Sequence, residues 1–267
     1  MLLGNYFHNI KNNYKNFFFS GISFDSNKIK KNYIFFAIRG NSTDGNNFIS
    51  DAIKNGAKII VTEKKINELK NGILFIKTKN VRKLLSEISF KIYNKIPKNI
   101  IAVTGTNGKS SIADFYYQIL NLNFKKVASI GTVGIRYKNK KRSLTNTTLD
   151  PIHLSSILKD LKKKKIEYVI MEASSHGLKQ NRLDGLLFDV GIFTNLSHDH
   201  LDYHKNMKSY LNSKLYLFKK LIKQKGNIIT DATIPESKKI KNISIKNGIK
   251  LSLIFDKKKG IDLISHK

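Results

Sequence analysis

The sequence predicts an α/β fold: a small N-terminal α/β domain, then a phosphate-loop-type domain with a mostly parallel sheet. Three observations carry this. Short β-branched and aromatic runs alternate with stretches of helical spacing along most of the chain. Pro97 and the polar "PKN" separate two such series, placing the domains at 1–96 and 97–267. Beyond that boundary the strand "NIIAVT" (99–104) runs through a glycine-rich turn into the helical "SIADFYYQILNL" (111–122), the unit from which parallel sheets are built.

The elements follow in order. In the first domain "YIFFAI" (33–38) reads as a strand, "RGNSTDGNN" (39–47) as a polar loop, "FISDAIKNGA" (48–57) as a helix and "KIIVTE" (58–63) as a buried strand. In the second, "KKVASIGT" (125–132) is a strand and "DPIHLSSILKDLKKKK" (150–165) a helix opened by Asp150 and Pro151. "YVIMEAS" (168–174) is a fully buried strand, "FDVGIFTNL" (188–196) another, "MKSYLNSKLYLFKKLIK" (207–223) a helix and "NIIT" (227–230) a strand. Past 240 the chain is lysine-rich with short apolar runs and reads as weak strand; there is no internal repeat. Ligands of such sheets gather at the C-terminal ends of the strands, and the candidate motifs all sit there.

Composition narrows the function. A chain of 267 residues can bury a substantial core, and its lack of cysteine excludes disulfides, thiolate metal sites and cysteine nucleophiles. No apolar run approaches the ~20 residues of a membrane span, and "FFF" (17–19) is too short for a signal peptide, so a soluble cytoplasmic protein without a membrane partner is expected. The formal charge of +30 suggests nucleic acid, but only five of the 49 basic residues are arginine, the side chain that bidentate phosphate and base recognition favours. Abundant Lys, Asn, Ile, Phe and Tyr, all with AT-rich codons, explain the charge as solvated lysine, and no nucleic-acid partner is expected.

"AVTGTNGKSS" (102–111) is a phosphate-binding loop of unusual length. A Walker A loop would place glycine at 103, where this chain has Val103, and it has Gly105 instead. Backbone N–H groups of Gly105, Thr106, Asn107, Gly108 and Lys109 are expected to cradle phosphates at a positive helix end, with Lys109 on the outer phosphates and Ser110 or Ser111 on magnesium. In "MEASSHGLKQNRLDG" (171–185), Glu172 ends a buried strand and is placed to bind magnesium across the sheet. "SHDHLDYH" (197–204) gathers His198, His200 and His204, but Tyr203 breaks the spacing of a metallo-hydrolase motif, and loop histidines are more often hydrogen-bonded or solvated than zinc-bound. "LTNTTLDP" (144–151) alone reads as a helix cap.

Taken in order, "FDSNKIKKNYIFFAIRGNSTDGNNFISDAIKNGAKIIVTE", "GTNGKS", "NTTLDP", "MEASSHGLKQNRLDG" and "FTNLSHDHLDYHKNMKSYLNSKLYLF" resemble successive blocks of the Mur ligases, covering roughly 21–230. "SSHGL" with its following arginine and "NLSHDHLDYH" resemble the MurE type, the UDP-N-acetylmuramoyl-tripeptide synthetases. The resemblance implies an ATP- and Mg2+-dependent ligase of peptidoglycan precursor synthesis. It would phosphorylate the D-glutamyl carboxylate of UDP-N-acetylmuramoyl dipeptide and let the amine of a diamino acid, meso-diaminopimelate or L-lysine, attack the acyl phosphate.

Carried over by resemblance, Lys109, His200 and Lys214 are catalytic, and Ser110 or Ser111, Glu172, His200 and Lys214 as a carbamate help hold two magnesium ions. The nucleotide sugar peptide would meet Phe24, Ser26, Asn41, Ser42 and Thr43, then Asn146, Thr147 and Thr148, and finally Ser174, Gln180 and Arg182. Asn27, Leu149 and His198 depart from the family pattern, and "NIITDATIPES" (227–237) lacks the family's N-x-D-D near the adenine and ribose. The family also carries a third, Rossmann-like domain with the amino-acid pocket. Its absence before Lys267 is expected to mark a fragment, a split gene or a decaying copy, with a separately encoded C-terminal domain as partner. A folylpolyglutamate synthetase-like ligase and a noncatalytic, basic nucleic-acid-binding relic are the alternatives.

Overall fold

The computed structural model describes residues 1–8, 10–40, 43–65, 68–138, 140–144 and 146–255. The chain forms two compact units, Met1–Asn94 and Lys95–Lys267. The division falls just ahead of Pro97, whose segment opens the second unit.

In the first unit β1 (Gly21–Ser23), β2 (Tyr33–Phe36) and β3 (Ala57–Thr62) run parallel, with α1 (Ile49–Lys54) between the last two. The edge strand β4 (Leu69–Lys70) pairs antiparallel with β5 (Ile73–Lys77), which lies parallel to β3, and α2 (Val81–Ile92) follows. The sheet order is β1-β2-β3-β5-β4. Phe35, Ile60 and Phe75 pack with Ala52 of α1 in its core. The predicted ten-residue helix shortens to α1 mainly at its C-terminal end, where Gly56 at φ +105° turns the chain and Ala57 already opens β3, while Phe48 closes a preceding 3-10 turn over Gly45–Phe48, in which Asp44 Oδ1 accepts the Asn46 N–H at 2.9 Å. Gly45 is obligatory there, since an added Cβ would lie 2.6 Å from the backbone of Ile38.

The second unit opens with β6 (Asn99–Thr104), α3 (Lys109–Leu122) and β7 (Val127–Gly131). A meander of β8 (Gly134–Tyr137) and β9 (Lys140–Arg142) precedes α4 (Pro151–Lys163), β10 (Tyr168–Glu172) and the short α5 (Ser175–Lys179). Then come β11 (Phe188–Phe193), α6 (Leu201–His204), α7 (Met207–Lys220), β12 (Ile222–Asp231), α8 (Ser237–Asn247) and β13 (Lys250–Ile254). The sheet order is β13-β12-β11-β6-β10-β7-β8-β9, parallel from β13 to β7 and antiparallel beyond. Register pairs Glu172 with Val103, Phe193 with Thr104 and Met171 with Ile130. The loops leaving β6, β10, β11 and β7 therefore emerge side by side at one edge of the sheet.

One expectation is corrected. Among the described residues of the lysine-rich stretch read as weak strand, those up to Asn247 belong to helix α8, and the strand is β13. The buried face of α8 is Ile240 and Ser244, four residues apart, and the serine hides the helical period among exposed lysines. The "NIIT" strand also begins earlier, at Ile222, so α7 stops at Lys220.

Asp150 caps α4 as expected: its Oδ1 accepts the N–H groups of Ile152 and His153, each at 3.1 Å, ahead of Pro151 in the first turn. Asp150→Ala should lower the unfolding free energy by about 1 kcal/mol in urea titrations. An unchanged midpoint would show that the cap contributes nothing.

Candidate active site

The phosphate loop begins where β6 ends. Gly105 sits at φ +150°, and a side chain there would run into the Thr194 hydroxyl; Gly108, at φ +81°, turns the chain into α3. The exit of β11 braces the loop. The N–H groups of Thr106 and Asn107 are donated to Asn195 at 2.9 and 3.0 Å, and Thr194 Oγ1 donates to the Asn107 carbonyl at 2.6 Å. These two N–H groups, expected to face phosphate, thus hold the loop's shape instead. The first helical carbonyl to be used, Gly108 O, accepts from Ile112, so the N–H groups of Lys109, Ser110 and Ser111 have no acceptor within α3.

Two lysines converge on this loop. Lys109 Nζ donates to the carbonyls of Gly105 and Thr106 at 3.0 and 2.7 Å, and Lys214 Nζ donates to the same Gly105 carbonyl at 2.6 Å. Lys214 is 1 % exposed and lies over the Tyr210 ring, 4.2 Å from its centroid. Among the described residues neither lysine has an ion-pair partner. Burial pushes both amines down. Lys214 falls to about 7, helped by the charge of Lys109, while Asp199 opposes the shift. For Lys109, Glu172 and then Asp199 oppose it.

Glu172, buried at the end of β10, faces the loop. Its Oε1 accepts Ser110 Oγ at 3.0 Å and the Thr132 N–H at 2.9 Å, and its Oε2 accepts Thr132 Oγ1 at 3.1 Å. Of the two candidate serines, Ser110 meets Glu172 and Ser111 is exposed. Gly131 makes room, because a Cβ there would overlap the Glu172 carboxylate. Thr132 links this group to Thr147 through hydroxyls 3.0 Å apart.

Thr148 Oγ1 donates to the Glu172 carbonyl and accepts the Ser174 N–H, both at 3.0 Å. Ser174 in turn caps α5, accepting from Gly177 at 3.1 Å. Arg182 donates to the Thr148 carbonyl at 2.5 Å and, through Nε and Nη2, to Gln180 Oε1 at 3.1 and 2.7 Å. The predicted set Thr147, Thr148, Ser174, Gln180 and Arg182 is therefore one connected group beside Glu172, while Asn146 is exposed.

The histidines assemble differently from a metal cage. His176 packs against His200, Tyr203 and His204 with ring centroids 4.9, 4.1 and 5.4 Å apart. His204 is fully buried, its Nε2 lies 3.0 Å from Ser175 Oγ, and burial first, then Lys179, push it down to about 4, so it is neutral. His200 lies 3.4 Å from Asp199 and edge-on to His176 and Tyr210. Among the described residues no three His, Asp or Glu side chains converge to hold a metal ion. Ser110 and Glu172 are the hard oxygen donors that fit magnesium beside a bound polyphosphate.

Sequence reasoning missed Thr132 and Tyr210. Tyr210, whose hydroxyl lies 3.2 Å from Thr106 Oγ1, is one helical turn from Lys214. That spacing, and the strand-end position of Thr132, were the available signals. In the first unit, Phe24 and Ser26 follow β1 and Thr43 lies in the loop after β2, at the C-terminal edge of the parallel sheet. Ser26 is buried, whereas Phe24 and Thr43 are exposed. Asn41 and Ser42 lie outside the described residues.

Comparison with known proteins identifies the family. Residues 103–267 match the Mur ligase middle domain, and residues 19–97 match the Mur ligase family catalytic domain. A UDP-N-acetylmuramoyl-L-alanyl-D-glutamate--2,6-diaminopimelate ligase of Rickettsia typhi is 37% identical over 254 residues, 94% of this chain and 51% of the relative. The ligase of the same name from Wigglesworthia glossinidia brevipalpis is 45% identical over 246 residues, 86% of this chain and 49% of the relative. A solved structure of a ligase of that name superposes with a TM-score of 0.79 at 27% identity, covering 94% of this chain and 51% of its own. The chain spans about half the length of the curated relatives it matches.

The buried Lys214 amine has a measurable consequence. Its folded pKa of about 7 lies below the ordinary lysine value, so between the two the unfolded chain keeps a proton that the folded chain has released. Stability in bicarbonate-free buffer should therefore rise with pH across that window, the penalty being largest below about pH 7. Lys214→Met should be the more stable protein near pH 6, by on the order of 2 kcal/mol after loss of the Gly105 hydrogen bond, with the advantage shrinking toward about pH 10. Urea titrations across pH check this; a wild type more stable than the variant at pH 6 would mean that the ammonium is well solvated.

Proposed function

The chain belongs to the Mur ligase family, and on that premise we propose that it forms the nucleotide-sugar-binding and ATP-binding part of a ligase adding a diamino acid to UDP-N-acetylmuramoyl-L-alanyl-D-glutamate. The relatives' names point to 2,6-diaminopimelate as the amine. The observation that carries the proposal is the meeting of Lys109 and Lys214 on the Gly105 carbonyl, beside the Ser110–Glu172 pair. A buried and a half-buried lysine amine, neither with a carboxylate partner among the described residues, suit a polyanionic ligand. The reaction belongs where ATP is abundant, in the cytoplasm.

The physical demand is charge. Phosphoryl transfer from ATP to a carboxylate brings two anions together, and only interactions stronger in the transition state lower the barrier. Lys109 is expected to leave the Gly105 and Thr106 carbonyls for the transferring phosphoryl group, while N–H groups of the first turn of α3 hold the neighbouring phosphates. Ser110 and Glu172 would hold Mg2+, which neutralises phosphate charge when bound. Arg182, with Thr147, Thr148, Ser174 and Gln180, would orient the substrate peptide carboxylate, and Phe24, Ser26, Asn41, Ser42 and Thr43 the nucleotide sugar. We assign the amine pocket to the part of the relatives' length that this sequence does not cover, supplied by a further polypeptide segment.

Lys214 adds a second element. Its lowered pKa supplies the neutral amine that can attack carbon dioxide, forming an N–C bond and releasing a proton. The carbamate would replace one of two mutually repelling cations with an anion able to join His200 as a metal ligand. Intact mass in bicarbonate and Mg2+ should show one added carbon dioxide, absent in Lys214→Ala; an unmodified chain under those conditions refutes the modification.

The purified chain should bind ATP and UDP-N-acetylmuramoyl-L-alanyl-D-glutamate in calorimetry, and failure to bind either sinks the proposal. With the relatives' second half supplied in trans, tripeptide formation should appear. In that assay Lys109→Ala should lower phosphoryl transfer by about a thousandfold or more, at ~1.4 kcal/mol per tenfold, while the nucleotide sugar still binds. Undiminished transfer would give the loop another role.

A further inference from the structure

At the pole of the second unit opposite the phosphate loop, exposed lysines surround two exposed apolar side chains. There the chain returns from α3 into β7 and from α4 into β10, and the backbone ties the two returns together. The Glu167 N–H donates to the Lys126 carbonyl at 2.9 Å, and the Asn99 N–H, at the start of β6, donates to Glu167 at 3.0 Å. Lys98, Lys125, Lys126 and Lys165 are all exposed here, and among the described residues none pairs with a carboxylate.

Amid these cations stand two bare apolar side chains, Leu122, 74 % exposed, and Phe124, 97 % exposed. Phe124 is the more informative because its backbone is left-handed, at φ +57°. The same helix ending occurs after α3, α4 and α8. In each, a left-handed residue at the helix end donates to the carbonyl three before it, and the next residue donates back five, as Lys125 to Leu120, Ile166 to Leu161 and Ile249 to Ser244. That left-handed position ordinarily takes glycine, as α8 does with Gly248. At the pole it carries Phe124 and Lys165 instead. A phenyl ring held in strained backbone and entirely in water stabilises nothing within the fold.

We propose that this pole docks on the surface of an anionic lipid bilayer, with Phe124 and Leu122 entering the headgroup boundary and the surrounding lysines facing lipid phosphates. Charge complementarity selects that occupant: the pole offers unpaired lysines around an apolar tip, and an interfacial contact needs both. The expectation of no membrane partner rested on the lack of a spanning segment, which does not bear on surface contact. The proposal is independent of the ligase assignment.

The test is sedimentation of the purified 267-residue chain with vesicles of equal parts phosphatidylcholine and phosphatidylglycerol, against phosphatidylcholine alone. The chain should partition onto the anionic vesicles, and added salt should release it. Phe124→Gly should weaken partitioning about tenfold while the melting temperature stays the same or rises, because glycine relieves the strained position. Lys125→Glu with Lys126→Glu should weaken it further, by about fivefold or more per lysine. Absence of binding, or equal binding by Phe124→Gly, overturns the proposal. So does vesicle-free dimerisation that Phe124→Gly abolishes, which would make a second copy the occupant, or preference for duplex DNA over vesicles at equal salt.

Discussion

Two ammonium groups share one carbonyl oxygen, that of Gly105, and the organisation of the larger unit follows from that contact. Like charges this close repel, and burial takes away the water that would screen them. The nearest carboxylates do not cancel the charge: Glu172 is occupied by Ser110 and Thr132, and Asp199 acts from a distance. The protein without ligand therefore holds an electrostatic surplus aimed at the phosphate loop. A polyphosphate, or a carbamate on one of the amines, relieves it.

That arrangement depends on a framework that does not itself touch phosphate. Asn195 and Thr194, at the exit of β11, hold the backbone of Thr106 and Asn107, so the loop's shape is set by the neighbouring strand as much as by its own glycines. Tyr210 supports both partners, with its hydroxyl at Thr106 and its ring under Lys214. The neutral, fully buried His204 packs against the same ring and joins α6 to α5 through Ser175. Lys214 reaches the loop because α7 is fastened at these points.

The parallel sheet separates two kinds of chemistry. At the C-terminal ends of its strands Lys109, Lys214 and Glu172 are held by specific hydrogen bonds. At the opposite pole Lys98, Lys125, Lys126 and Lys165 are exposed and, among the described residues, pair with no carboxylate, with Phe124 and Leu122 among them. Such a division follows from strands that all point one way, since each loop on one side can be specialised without disturbing those on the other.

Much was legible in the residues themselves. Strand-helix alternation, the Gly-Lys-Ser turn, the Asp-Pro cap and the strand-end glutamate are local signals, written in spacing and backbone propensity, and they located the sheet, the phosphate loop and the Glu172 end of the site. Helix α8 was not legible, because a serine occupies part of its buried face. What tertiary structure alone decided are the long-range facts: that Ser110 rather than Ser111 meets Glu172, that Thr106 and Asn107 spend their N–H groups on Asn195, that Thr132 joins the acidic group, and that Lys109 and Lys214 meet on one carbonyl. The physical reason is that hydrogen-bond partners and desolvation depend on strand register and on which loops emerge together. Residues far apart in sequence acquire those relations only when the sheet is assembled.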